Sequence, residues 1–183
     1  MPFFKSMPDD AGPPAVFTRY PELYGPWAKM SEGLMNGPSP LSRGERELIL
    51  AYAAGAAGCR FVCIAHSEVA YALGIERGTV ERLIDDPATA PLEARLRPLL
   101  AYVRKLMTSP GAMTQADADA VFAAGWDEQA LHDAIAITAR AAFMQRLVEG
   151  HGFVPMSQEQ AAHRARQRVE RGYVNLYPVF REK

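Results

Sequence analysis

Two thiols and an imidazole stand within eight residues of one another, in Cys59-Arg60-Phe61-Val62-Cys63-Ile64-Ala65-His66. At 100° per residue on a helix, Cys59, Cys63 and His66 fall at about 0°, 40° and -20°, so all three are expected on one narrow stripe. A rise of ~1.5 Å per residue puts the cysteine Cα atoms about 6 Å apart, where a disulfide is feasible but strained. Cys59 is expected at the helix N-terminus, where free N–H groups and the positive end of the dipole stabilise a thiolate. His66, one turn beyond Cys63, is placed to take that thiol's proton or to protonate a leaving oxygen. Such a set suits peroxide cleavage or disulfide exchange. Glu47, twelve residues before Cys59, is expected to reach the same pocket from the preceding helix and to orient His66.

Other readings of the same residues stay open. A cysteine in a helix can serve simply as a small core hydrophobe, and Glu47 is favoured in a first helical turn whatever its chemistry. Two Cys, one His and a carboxylate could complete a tetrahedral zinc site, but three ligands crowded on one short helix argue against it, and no metal is expected.

The elements that must position these residues are helices. Ser42-Arg43-Gly44-Glu45 has the S-x-x-E form of a capping box and is expected to start a helix running to about Ala57. That helix is apolar over most of its circumference beyond Glu47, so it belongs at the centre. The Cys59–Leu73 helix closes at Gly74, and others are expected at roughly 76–85, 92–108, 115–124 and 128–149. Ser157-Gln158-Glu159-Gln160 is a further capping box, opening a last helix to about Arg171. Its Arg164, Arg166, Arg168 and Arg171 are read as a solvated or subunit-facing surface. Before this body, ELYGPWAKMSEGLM repeats apolar residues at helical spacing, with Gly25 and Pro26 expected to kink or divide it. Residues 1–20 are read as an irregular arm, 21–155 as a helical domain, and 156–183 as a helix and tail. The tail YVNLYPVFREK is too apolar to dangle and is expected to pack on its own body or on a neighbouring subunit. No stretch alternates convincingly enough to be a strand, so the fold class is all-α and single-domain.

Composition narrows the function. The 183 residues are 49% hydrophobic and 22% charged, enough for one sizeable core without staples. Twenty Lys and Arg against 21 Asp and Glu leave a net charge of -1, with no basic field for nucleic acid or an anionic membrane. Charged residues interrupt every apolar stretch before membrane-spanning length, and Asp9 and Asp10 interrupt the N-terminus where a signal peptide is greasiest. The expected compartment is the cytoplasm. With only Cys59 and Cys63 present, four positions apart, chemistry is a better reading of the pair than stapling.

The stretch LSRGERELILAYAAGAAGC, continued through His66 to ALGI, resembles the alkylhydroperoxidase D-like, peroxidase-related branch of the carboxymuconolactone decarboxylase superfamily. In that family a glutamate precedes the first cysteine by twelve positions and a histidine follows it by seven, as Glu47, Cys59 and His66 do here. AGWDEQALHDAIAITARAAFMQRLVEGHGF is similar to the family's later long helix, so the resemblance covers roughly residues 20–155. It implies an AhpD-like helical bundle and a thiol-dependent hydroperoxide reductase. Cys63 would attack the peroxide, Cys59 would resolve its sulfenic acid, and Glu47 with His66 would relay the proton. It further implies a dithiol or lipoyl-protein electron donor, a homo-oligomer, and no cofactor.

One position departs from the family. C-x-x-C followed by three residues and His would put the second cysteine at 62, where Val62 stands, and the cysteine occupies 63 instead. On helical geometry the shifted thiol is expected to remain on the stripe, with peroxide reaction retained and disulfide formation slowed. The alternatives are a redox sensor or oligomeric interaction protein with little turnover, and decarboxylase-like chemistry, which needs no cysteine pair.

Overall fold

The computed structural model describes residues 1–180; Arg181, Glu182 and Lys183, the end of the apolar tail, lie outside the described residues. The elements are α1 (Pro13–Arg19), α2 (Pro21–Asn36), α3 (Arg43–Ala56), α4 (Arg60–Ala72), α5 (Thr79–Asp85), α6 (Leu96–Thr108), α7 (Gln115–Ala123), α8 (Glu128–Gly150) and α9 (Gln158–Arg171). Single 3₁₀ turns occur at Pro87–Thr89, Pro110–Ala112 and Pro178–Phe180, and no strand forms among the described residues.

Helix α3 is the axis of the bundle, and its packing follows from its sequence. Every residue from Leu48 to Ala54 is buried, matching a helix apolar all round. It packs against α4, α5, α6 and α8. Ser42 starts it through a reciprocal capping box, its hydroxyl accepting from Glu45 N while the Glu45 carboxylate accepts from Ser42 N. The amphipathic α6 buries Leu96, Leu99, Leu100 and Val103, an i, i+3, i+4, i+7 stripe, into the same core. Burial of each such side chain contributes about 1.5–3 kcal/mol, so these four anchor α6 as firmly as any polar contact could.

A second core lies on the other side of α4. Phe17, Tyr24, Ala28, Phe61, Val62, Val148, Phe153 and Phe180 join there, bringing α1, α2, α4, α8 and the tail together. The arm is therefore not irregular throughout. Pro13 and Pro14 sit in the first turn of α1, where a missing N–H is harmless, and Val16 and Phe17 bury behind them. Nor does Pro26 divide α2, which forms one continuous helix across Gly25 and Pro26. Two other helices are shorter than expected: α5 begins at Thr79, after the left-handed Gly78, and α6 at Leu96. The tail packs on its own body through buried Tyr173 and Phe180.

Candidate active site

A three-residue connection, Ala57-Gly58-Cys59, joins α3 to α4. Gly58 has φ +78°, a left-handed conformation that glycine adopts without steric cost, and Cys59 is the N-cap of α4. The two helices pack closely along their length. This brings Glu47 of α3 to His66 of α4, where His66 Nδ1 lies 2.7 Å from Glu47 Oε2 with both side chains buried. The expected meeting of these two residues is observed.

A third partner comes from the C-terminal segment, since the Tyr173 hydroxyl donates to Glu47 Oε1 at 2.5 Å. Tyr173 reaches this point because α9 packs on α4 and ends at Gly172, whose φ is +72°. The chain then turns inward, and the Tyr173 backbone N–H donates to Glu32 of α2. The Tyr173 ring stacks near-parallel to His66, 8° between planes and 6.4 Å between centroids.

The environment sets the protonation of the dyad. Burial alone would raise the Glu47 carboxyl, but His66, Arg168 and the Tyr173 hydroxyl outweigh it and hold Glu47 below the usual carboxylate range. Burial pushes the His66 imidazole down to about 4; Glu47 opposes that shift, while Arg168 and Arg140 add to it. At neutral pH the pair is thus a carboxylate and a neutral imidazole that donates through Nδ1. Nε2 is the ring nitrogen left to act as a base on a molecule beside it.

His66 borders a cavity of about 50 Å³ shared with Val62, Trp27, Arg140, Arg164 and Arg168. Arg164 and Arg168, read from sequence as a solvated or subunit-facing surface, line this cavity instead. The α9 helix lays its length on α4, so its i, i+4 arginines meet the site. Arg168 is held charged despite burial by Tyr177, Tyr173 and Glu47, and its Nη2 donates to the Tyr177 hydroxyl at 3.3 Å.

The cysteines are placed differently. Cys59 is fully buried in the second core, and burial pushes its thiol up to about 11, with the nearby Glu149 carboxylate adding to the shift. The expected stabilisation of a Cys59 thiolate by the helix N-terminus is overturned: the Val62 backbone N–H lowers the value, but desolvation wins. Cys63 is half-buried and opens on a different cavity, about 340 Å³, with Gly55, Ser67, Glu68 and Glu81. Burial also raises its thiol; Ser67, 3.9 Å away, partly offsets this and Glu81 reinforces it.

The single stripe of three side chains is therefore split. His66 and Cys63 border separate cavities, because a step of 60° around a helix buried on several sides is enough to change neighbours. Cys63 N donates to Cys59 O at 3.1 Å in the first turn of α4, so the thiols are one turn apart, and both are free. Among the described residues no group of three or more His, Cys, Asp or Glu could hold a metal ion.

Sequence reasoning missed Tyr173, Arg140 and Trp27. The buried tail was expected, and its first aromatic residue was the available signal for Tyr173. Nothing local marks Arg140 or Trp27, which reach the cavity only because α8 packs on α4 and α2 packs on α8.

The comparisons with known proteins agree with this architecture. The model of the carboxymuconolactone decarboxylase family matches residues 21–105. An alkylhydroperoxidase AhpD core, an uncharacterized peroxidase-related protein from Ralstonia eutropha JMP134, superposes with a TM-score of 0.74 at 20% identity, over 82% of this chain and 78% of that one. An uncharacterized peroxidase-related protein from Silicibacter sp. TM1040 superposes with a TM-score of 0.64 at 21% identity, over 85% of this chain and 96% of that one. No curated protein matches. At these identities the likeness to the solved structures concerns the fold.

Proposed function

We propose that the chain is an AhpD-like member of the carboxymuconolactone decarboxylase superfamily and that it reduces hydroperoxides at its own thiols. The observation that carries this reading is Cys63, whose side chain borders an open cavity beside the Ser67 hydroxyl, with Cys59 one helical turn behind it. The Cys63 thiolate attacks the distal peroxide oxygen and the O–O bond breaks. The sulfur becomes sulfenic acid and the alkoxide leaves as alcohol after taking a proton. The Cys59 thiol then attacks the Cys63 sulfur, forming the disulfide and releasing water; a dithiol donor returns both sulfurs to thiols. The Glu47–His66 pair borders the neighbouring cavity, and Ser67 is the hydroxyl at hand for Cys63 itself.

The test is intact mass and free-thiol count on fully reduced protein before and after one equivalent of an organic hydroperoxide, with peroxide loss followed in parallel. Loss of about 2 Da with both thiols consumed supports the two-cysteine cycle. A stable gain of about 16 Da shows that Cys63 reacts and is not resolved, which is the behaviour of a sensor. Unchanged peroxide turnover in Cys63→Ser removes the proposal.

One observation favours a second reading. The buried base His66, backed by Glu47 and Tyr173, faces its cavity with Val62 where the family has a thiol. That arrangement fits acid–base chemistry of the decarboxylase kind, for which a Cys59→Ser, Cys63→Ser double variant would keep activity and His66→Gln would lose it.

A further inference from the structure

A cavity of about 280 Å³ lies between α6 and the segment that leads into it from α5, and it shares no lining residue with the cavities at His66 and Cys63. Its size is close to the lower end of the ~300–1,000 Å³ typical of small-molecule sites. Buried Leu83 and Leu100 and half-buried Leu92 give it apolar walls. One side is the 3₁₀ turn Pro87–Thr89, and Arg97 of α6 fastens that turn, its Nη1 donating to Pro87 O at 2.8 Å and its Nη2 to Ala90 O at 2.9 Å. Asp86 braces the turn further by accepting from Ala88 N at 3.0 Å. The wall is therefore set before any ligand arrives, which lowers the ordering cost of binding.

Two polar side chains in this lining lack partners among the described residues. Tyr52 reaches the cavity from α3 with 1% exposure, and its hydroxyl makes no hydrogen bond, although buried polar atoms are as a rule paired. Arg104 is exposed at the rim, and its guanidinium makes no hydrogen bond or ion pair. Arg97 is occupied by the turn, and no acidic residue among the described ones lines the cavity, so Arg104 gives it an uncompensated positive end. Arg97, Leu100, Ala101 and Arg104 stand at i, i+3, i+4 and i+7 on α6, so the cavity follows that helix for about 10 Å.

These features select a ligand. The free guanidinium calls for an anion, and a carboxylate accepts its forked N–H donors in pairs. The leucine walls require an apolar body. The buried Tyr52 hydroxyl needs an oxygen at the end of the ligand away from the charge, which an alkyl tail does not provide. An aromatic ring carries both ends with few torsions to freeze. We propose that this cavity binds a hydroxyaryl carboxylate, its carboxylate on Arg104, its ring against Leu83 and Leu100, and its phenolic oxygen accepting from Tyr52. The site is independent of peroxide chemistry, since Leu83 lines this cavity while the next residue, Ile84, lines the one at Cys63.

Isothermal titration calorimetry of the reduced full-length protein with 4-hydroxycinnamate tests the assignment, and saturable binding is expected. Cinnamate, which lacks the phenol, is expected to bind about fivefold more weakly, the scale of one neutral hydrogen bond. The neutral 4-hydroxycinnamyl alcohol is expected to bind about tenfold more weakly, the scale of one charge-assisted contact. Tyr52→Phe removes a hydroxyl that has no protein partner, so the variant keeps its fold and is expected to abolish the first difference; Arg104→Gln is expected to abolish the second. Ala101→Phe, at an exposed position in the lining, is expected to fill the cavity and prevent binding. Absence of saturable binding, or binding unchanged in Ala101→Phe, overturns the site. Equal affinity for the acid and the alcohol overturns the role of Arg104, and tighter binding of octanoate than of 4-hydroxycinnamate overturns the hydroxyaryl assignment. Because the readout is binding without peroxide, none of these results bears on whether Cys63 reduces hydroperoxides.

Discussion

Val62 and His66 lie one turn apart on α4 and border the same cavity, while Cys63, the residue after Val62, opens on a different one. The single-residue shift of the second cysteine therefore moves a thiol from one side of a buried helix to another. Moving it back is the direct experiment. In a Val62→Cys, Cys63→Ser variant the thiol shares the cavity of His66, Arg140 and Arg168, whose positive charges favour a thiolate. Its hydroperoxide consumption at pH 7 is expected to exceed that of the native sequence by at least about tenfold, one pKa unit of added thiolate. A variant no faster than the native chain would mean that this cavity does not admit peroxide.

In the native chain, burial raises the thiols of both Cys59 and Cys63, so little thiolate is present at pH 7. Raised acids gain their reactive form only as pH climbs. The second-order rate of Cys63 with an organic hydroperoxide is thus expected to rise about tenfold per pH unit through the neutral and mildly alkaline range. Ser67 lowers the Cys63 thiol, so Ser67→Ala is expected to slow the reaction at pH 7 and shift its profile to higher pH. Stopped-flow peroxide kinetics at several pH values decide both points; a flat profile rules out Cys63 as the attacking group.

The dyad leaves its own mark on stability. His66 titrates near 6.5 when unfolded and at about 4 when folded, so between those values the unfolded chain binds more protons. Its contribution is present above pH 6.5 and is lost as pH falls toward 4. Glu47, depressed below its ordinary value by His66, Arg168 and Tyr173 despite burial, loses its contribution only at lower pH, as it falls through the folded value. Urea unfolding from pH 7 to 4 is expected to show a stability decline that His66→Gln flattens in the upper part of that range. An equal slope in the variant would place the titration elsewhere.

Much of this framework was legible in the sequence, and what was not has a common cause. Ser42 with Glu45 and Ser157 with Gln160 mark helix starts through local hydrogen bonds, and both capping boxes form. The Glu47–His66 meeting follows from two consecutive helices with a short turn, a nearly local relationship. The environment of a side chain is not local. Cys59 caps α4 as expected, yet it is fully buried in the second core, so desolvation overrides the helix terminus. Arg168 looked like one charge in a basic run, and only the docking of α9 on α4 turns it toward Tyr173. Pro13 and Pro14 suggested irregular chain, but two prolines also suit a first helical turn when Phe17 finds a core to enter.

Tyr173 couples the C-terminal segment to the dyad, and its removal can be read twice. Tyr173→Phe keeps the ring that stacks on His66 and meets Arg168 but leaves Glu47 Oε1 without its hydroxyl donor. An unsatisfied buried acceptor costs about 1–3 kcal/mol, so the variant is expected to unfold at lower denaturant concentration by that amount. With one stabilising donor gone, Glu47 is held less firmly as a carboxylate, and the acid limb of the stability profile shifts to higher pH. Gly172→Ala separates docking from hydrogen bonding. A Cβ there would sit at φ +72° and run into the Glu32 carboxylate, disturbing the turn that delivers Tyr173 while leaving its hydroxyl in the chain. Both variants are expected to alter the NMR signals of the His66 ring. If Gly172→Ala left the His66 ring signals and the acid limb unchanged, Tyr173 would reach Glu47 without needing that turn.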